Sequence, residues 1–292
     1  MRLNAALLCA LASVAAAACR DHAPAAACDR PLMVATYNIR FDNPDDGVHR
    51  WSNREAAVGE QARALEADLI GMQEVLPHQL DALERMLPGY RREGEGRDGP
   101  REGEASPLFY RAARFERLDG GTFWLSPTPE RARRADEQKP WGTWLNRIAS
   151  WAMLRDKTAG RRLLAINTHL DHASEMARRE SAALLVDFVK RHPADAVVLV
   201  GDLNARPGSE PHKRLAAALR DAAGAPEVVR APTGTTVTRW TELANPDHHI
   251  DHIFTSGARP LRYEVIDRRA NYQGALRYPS DHLPVRARLC LE

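Results

Sequence analysis

The sequence predicts an α/β or α+β fold in which helices are layered on sheet, and three observations carry that prediction. Short apolar runs recur along the chain, helical patterns lie between several of them, and no low-complexity tract, repeat or long linker follows Ala27. Composition agrees: of 292 residues, 44% are hydrophobic and 27% charged, enough for one large core or two small ones.

The apolar runs are Leu32 to Ala35, Leu69 to Met72, Leu163 to Ile166, Val197 to Val200, Ile250 to Phe254 and Leu283 to Leu289. Their shortness and β-branched content suit buried strands better than helices. Three helices are expected between them. One runs from Arg54 to Glu66 with Ser52 as its N-cap, and a second from Pro77 to Leu87 with Leu80, Leu83 and Leu87 on one face. The third runs from Ser174 to Arg191, with Ala182, Leu185 and Val186 at helical spacing.

Ahead of the first strand, residues 1–18 read as an export signal: Met1 and Arg2 precede an apolar, small-residue stretch that ends in Ala-Ala-Ala-Cys. Cys19 stands where a bacterial lipoprotein carries its lipid, although Ala16 replaces the larger aliphatic expected three positions earlier. Plain cleavage after an alanine is the alternative. Residues 19–30 form a short tether and 31–292 the folded part. Export to the periplasm, a membrane anchor or the medium would allow Cys28 and Cys290 to pair; two unpaired thiols are the other reading.

Lys and Arg number 41 against 39 Asp and Glu, a net charge of +2. That excludes a polybasic scaffold that holds nucleic acid by neutralising many phosphates, so any phosphate recognition is local. No paired C-x-x-C spacing suggests structural zinc.

Polar residues gather where the apolar runs end. Thr36-Tyr37-Asn38-Ile39 follows the first run, Gln73-Glu74 the second and Asn167-Thr168-His169-Leu170 the third. Gly201-Asp202-Leu203-Asn204, Ile250-Asp251-His252-Ile253 and Ser280-Asp281-His282-Leu283 follow in turn. Singly, each has an ordinary structural use: Asn38 as a turn former, Glu74 at a helix start, Asp202 with Asn204 as an Asx-turn, His169 as a core histidine. As a set they are harder to explain, because carboxylates near a core cost several kcal/mol each unless paired or bound to a cation, roughly 3–5 when a partner is missing.

These six motifs, in this order and over nearly the whole mature chain, resemble the endonuclease/exonuclease/phosphatase superfamily. Asp42 to Gly47 followed by Trp51 and Arg54, and Phe123-Trp124-Leu125-Ser126, resemble an exported bacterial branch of it. The resemblance implies a four-layer α/β/β/α sandwich of two packed mixed β-sheets, and metal-dependent hydrolysis of phosphoester bonds. It implies Mg²⁺ or Mn²⁺ on Glu74, Asn38 and Asp281, an oxygen-rich ligand set that suits a hard cation. Asp202 would activate water, Asn204 would donate to the phosphoryl oxygen, and His282, held by Asp251, would bind or protonate phosphate. His169 would stabilise developing charge. Arg147, in Asn146-Arg147-Ile148, matches a frequent family arginine and is expected on substrate phosphate, with a surface salt bridge as the alternative. Arg40 stands where some nuclease branches carry a carboxylate, which argues against a second metal ligand there.

The expected substrate is a phosphorylated small molecule or a nucleic acid, and the expected protein a monomer. A nuclease is the alternative; a sphingomyelinase-like phospholipase, lacking a long apolar loop, and an inactive binding module rank below it. Arg91 to Glu104 reads as a solvated loop. Arg131, Arg133 and Arg134 with Trp141 and Trp144 could seat a base or a membrane interface, with the indoles packed back onto the protein as the favoured reading.

Overall fold

The computed structural model describes residues 28–134, 136–229, 234–240 and 248–292. Residues 1–27, with the expected export signal and Cys19, lie outside the described residues.

In chain order the strands are β1 (Leu32–Asn38), β2 (Leu69–Gln73), β3 (Tyr90–Glu93), β4 (Leu108–Arg111), β5 (Phe115–Trp124), β6 (Ile148–Asp156), β7 (Arg162–His169), β8 (Ala196–Asp202), β9 (Arg220–Asp221), β10 (Glu227–Val229), β11 (Asp251–Ser256), β12 (Ala258–Val265), β13 (Ala270–Tyr272), β14 (Ala275–Arg277) and β15 (Val285–Leu291). The helices are α1 (Trp51–Ala64), α2 (Pro77–Met86), α3 (Glu175–Arg191) and α4 (Glu210–Ala218). One sheet has the order β10-β12-β15-β1-β2-β4-β3, the other β5-β6-β7-β8-β11-β9, and both mix parallel with antiparallel pairs.

Alternation along the strands explains why their sequences are apolar throughout. Val34 and Leu69 face the core between the sheets, whereas their neighbours Ala35 and Ile70 face α1 and α2. Leu163 and Ala165 point into the same central core; Leu164 and Ile166 point out beneath α3 and α4. Each central strand is therefore buried on both faces, and the layers stack as helix, sheet, sheet, helix. The four-layer sandwich expected from the motifs is the observed fold.

All six expected strands and all three helices are present, with one cap displaced. Ser174 accepts from Ala177 N at 3.1 Å and opens α3 as expected. Ser52, expected as the cap of α1, instead lies inside its first turn; Trp51 N turns to Asp42 Oδ1 at 3.4 Å, one turn's end anchored by the preceding loop. Burial of the Trp51 indole in the α1 layer pulls the helix start back past Ser52. Cys28 and Cys290 are disulfide-bonded, with Cα atoms 5.7 Å apart, at the paired ends of β1 and β15.

The sheets are also joined through polar groups. Asn167 on β7 donates to Met72 O at 2.8 Å and Pro107 O at 2.9 Å, and its oxygen accepts from Gln73 Nε2 at 2.6 Å. Gln73 Nε2 also reaches Thr36 Oγ1 at 3.0 Å. A Cβ at Gly71 would lie 2.5 Å from Asn167 Oδ1, so glycine is what lets this amide cross between the sheets. Asn167→Ala should therefore cost about 3 kcal/mol or more, because it strands buried carbonyls and an amide. Urea denaturation reads the loss, and an unchanged midpoint would contradict the tie.

Candidate active site

The polar residues meet because of strand direction. β1, β2, β7 and β8 run parallel as neighbours within their sheets and end in Asn38, Gln73, His169 and Asp202. β11 and β15 run antiparallel to their partners, so Asp251, opposite Asp202, and the segment before Val285 reach the same edge. There they line a cleft of about 420 Å³ that includes Glu74, His169, Asp202, Asn204, Asp281 and His282. Gly201 is required by close approach: a Cβ there would meet Thr168 O at 2.1 Å. Glu74 (φ 62°) and Asn204 (φ 46°) occupy the left-handed region, strain of the kind that collects at functional sites.

A buried arginine fixes the rim. Arg54, fully shielded from solvent, donates to His49 O, Ile39 O, Pro279 O and Arg40 O within 3.1 Å. It ties the loop after β1 to the segment carrying Asp281, and Ser280 Oγ adds a bond to Asn38 O at 2.7 Å.

Asn38 stands between two carboxylates. Its Nδ2 donates to Glu74 Oε1 at 2.9 Å and Asp202 Oδ2 at 3.0 Å, while its oxygen accepts Arg40 N at 2.9 Å. Through this NH₂ group Asn38 orients both carboxylates. Glu74 also accepts Phe41 N at 3.1 Å. Burial and the nearby charge of Glu74 raise the Asp281 carboxyl, which the Arg40 guanidinium at 3.9 Å partly offsets. Two mutually repelling oxygen donors without a cysteine fit a Mg²⁺ or Mn²⁺ ion.

The two histidines are shifted in opposite directions. His282 Nδ1 is 2.9 Å from Asp251 Oδ2, and although burial works against it, Asp251 and Asp202 hold the imidazole well above its ordinary pKa. Its Nε2 lies 3.8 Å from Asp202 Oδ2. His169 is driven well below by burial and by Arg147. Asn204 Nδ2 donates to Leu170 O at 3.1 Å and lies 2.9 Å from His169 Nε2, so that nitrogen is an acceptor and the ring is neutral. In this arrangement His169 orients Asn204 rather than carrying positive charge. Asp202 accepts Asn204 N at 2.8 Å, the Asx-turn of the plain reading, while burial and the adjacent Asp251 push it up to about 7.

Arg147 is buried, with Nη2 2.9 Å from His172 Nδ1 and Nε 3.6 Å from Asp171 Oδ2, which excludes a surface salt bridge. Both Arg147 and His172 line the cleft. The stretch Arg91 to Glu104 departs from the solvated loop expected of it: Tyr90–Glu93 joins the sheet, and Arg97 and Glu104 line the cleft as an ion pair at 2.9 Å. The signal that would have found them is the spacing of four glycines around alternating charges, which here closes a tight hairpin. Trp144 also differs, for it is 71% exposed and covered by Lys139 Nζ 3.2 Å above its ring. Arg131 is spent on Glu137 at 2.8 Å.

This fold and this end-of-strand cluster define a hydrolase of phosphoester bonds. Residues 35–282 match the Endonuclease/Exonuclease/phosphatase family, and the chain belongs to that family, whose members act on such bonds. Its structure is similar to a family protein from Bacteroides thetaiotaomicron (32% identity over 90% of this chain and 99% of that one, TM-score 0.80). A second, from Bacteroides vulgatus, shares 34% identity over 90% and 100% with TM-score 0.80. A mannosyl-6-phosphatase of Bacteroides thetaiotaomicron VPI-5482 shares 33% over 88% and 99%, with TM-score 0.79. No curated protein matches.

His252 follows Asp251 in sequence but occupies the other face of β11. It is buried against His249, His212 and Phe254, with Nε2 donating to Ala205 O at 2.9 Å. Burial and His249 push it down to about 4. The unfolded chain takes this proton near pH 6.5 and the folded chain only near 4, so stability falls as pH drops through that window. The loss should reach about 2 kcal/mol at pH 5, and His252→Leu should flatten it. Urea midpoints at pH 7.5 and 5 decide; equal slopes in both proteins would remove His252 as the cause.

Proposed function

We propose that this protein is an exported, divalent-metal-dependent phosphoesterase that hydrolyses a small phosphorylated substrate in the cleft at the strand ends. The observation that carries the reading is Asp202, a carboxylate raised to about 7 and held by Asn38 and Asn204 within reach of two histidines. A base with that pKa accepts a proton from water near neutral pH. Asp202 orients and deprotonates the attacking water, and Asn204 would donate to the phosphoryl oxygen by exchanging its bond to His169 Nε2 for one to substrate. The His282 imidazolium, oriented by Asp251, binds phosphate and has a proton at Nε2 for the leaving oxygen.

Glu74 and Asp281 would hold the Mg²⁺ or Mn²⁺, with Asn38 holding Glu74 beside Asp202. The cation, when bound, neutralises phosphate charge and polarises the ester. Arg147, braced by Asp171 and His172, adds a fixed donor on another wall of the cleft. A small substrate is favoured over a nucleic acid because Arg131 is paired with Glu137, Arg134 with Asp136, and Arg133 donates to backbone carbonyls. The likeness to a mannosyl-6-phosphatase supports a phosphorylated sugar. The export signal and Cys19 support action in the periplasm, tethered or free, and the reading takes the protein as a monomer.

Asp202→Asn and His282→Ala should each lower kcat by at least about 100-fold with little change in melting temperature. Turnover of a phosphate ester by the purified mature protein tests this, and full activity in both variants would overturn the assignment. Chelation with EDTA should abolish turnover and Mg²⁺ or Mn²⁺ should restore it. Activity that survives exhaustive chelation would remove the cation from the mechanism.

A further inference from the structure

We propose that the Arg97 and Glu104 side chains form a recognition subsite for hydroxyl groups, so that the substrate is the phosphate ester of a polyol, either a sugar or an inositol. This rests on the phosphoesterase reading above and concerns the part of the substrate that does not react.

The hairpin carrying the pair is built to be rigid. Arg97 N bonds Glu104 O at 3.0 Å and Asp98 N bonds Glu102 O at 3.1 Å. Its base is paired to Val75, the residue after Glu74, by bonds of 2.7 and 3.2 Å between Val75 and Ala105. Trp124 Nε1 donates to Arg97 O at 2.8 Å, and Asn146 Nδ2 to Asp98 Oδ1 at 2.9 Å. A Cβ at Gly96 would lie 2.1 Å from Glu102 O, so the turn is closed to other residues. The two side chains are 12% and 18% exposed, and Arg97 Nε is buried without a hydrogen-bond partner. Rigid groups of this kind lose little entropy on binding.

Charge decides what they bind. Arg97 is matched by Glu104, Arg147 by Asp171, and Arg40 by Asp46 at 3.0 Å. The cleft thus holds cationic capacity for one phosphate at the reacting end, and a second anion would meet the Glu104 carboxylate. Among the cleft's described lining Phe41 is the one Phe, Tyr or Trp, and Arg40 covers one of its faces at 4.6 Å, a poor platform for a base. A neighbouring carboxylate and guanidinium offer an acceptor and a donor, each ionised. Vicinal hydroxyls, each both donor and acceptor, complement that pair, and bonds to charged groups are the stronger kind. A site built for hydroxyls discriminates against an analogue that lacks them.

The test measures kcat/KM with Mg²⁺ for hexose 6-phosphate, myo-inositol 1-phosphate and ethyl phosphate, in the wild type, Glu104→Gln and Arg97→Lys. The wild type should prefer one polyol ester to ethyl phosphate by at least tenfold, and which ester is preferred identifies the source. In Glu104→Gln and Arg97→Lys that ratio should fall at least tenfold, mainly through KM, and competitive inhibition by the free polyol should weaken in step. An unchanged ratio with unchanged polyol inhibition in both variants would overturn the subsite while leaving the phosphoesterase standing. Hydrolysis of none of the three esters by the wild type, with cleavage of DNA or RNA instead, would overturn both.

Discussion

The site depends on the amide of Asn167. The catalytic groups come from two separate sheets, Glu74 and Asp281 from one, Asp202 and Asp251 from the other, and apolar packing alone sets their spacing only loosely. Directional bonds from Asn167 to Met72 O and Pro107 O, with Gln73 filling its oxygen, fix the sheets at one separation just beneath the cleft. Buried amides are costly unless fully bonded, so this seam favours a single register of one sheet on the other. Asn38 then spans the last gap, holding Glu74 and Asp202 with one NH₂ group. The carboxylates are positioned by amides before any ion or substrate arrives.

Fixed separation also allows charge to be distributed unevenly. Two imidazoles approach Asp202 Oδ2, yet Asp251 raises the pKa of His282 while burial and Arg147 lower that of His169. Neighbours rather than residue type set each role. Around them Arg97, Arg147 and Arg40 are matched by Glu104, Asp171 and Asp46, which leaves His282 as the cleft's locally favoured place for positive charge. A protein with a net charge of only +2 thereby keeps a local attraction for phosphate without a broad basic surface.

Much of this was legible in the sequence where burial on both faces left continuous apolar runs, as in β1, β2, β7 and β8. β5 went unread because its outer residues, such as Glu116 and Arg117, face solvent and break the run, whereas the buried stretch of β6 is interrupted only by Ser150. The ordered motifs brought the site residues into view, but not how they are used: the orientation of the Asn38 amide and the neutrality of His169 depend on partners distant in the chain. Arg97 and Glu104 were hidden for a related reason. A glycine-rich, charge-mixed stretch looks solvated unless the pairing that folds it inward, here with Val75, is known. Ser52 misled because the cap preference was weighed without the burial of Trp51.

The pairing of β1 with β15 has a consequence for how the enzyme comes into being. Asn38 is formed near the start of the folded chain, and Asp281 and His282 only ahead of its last strand, with α1 and Arg54 waiting on Pro279 O to complete their bonds. A partly synthesised chain lacks the strand on which the first one closes, and its site is in pieces. Contacts this distant in sequence also form slowly. The cleft is therefore incomplete until the segment carrying Asp281 and His282 is in place and β15 has paired with β1.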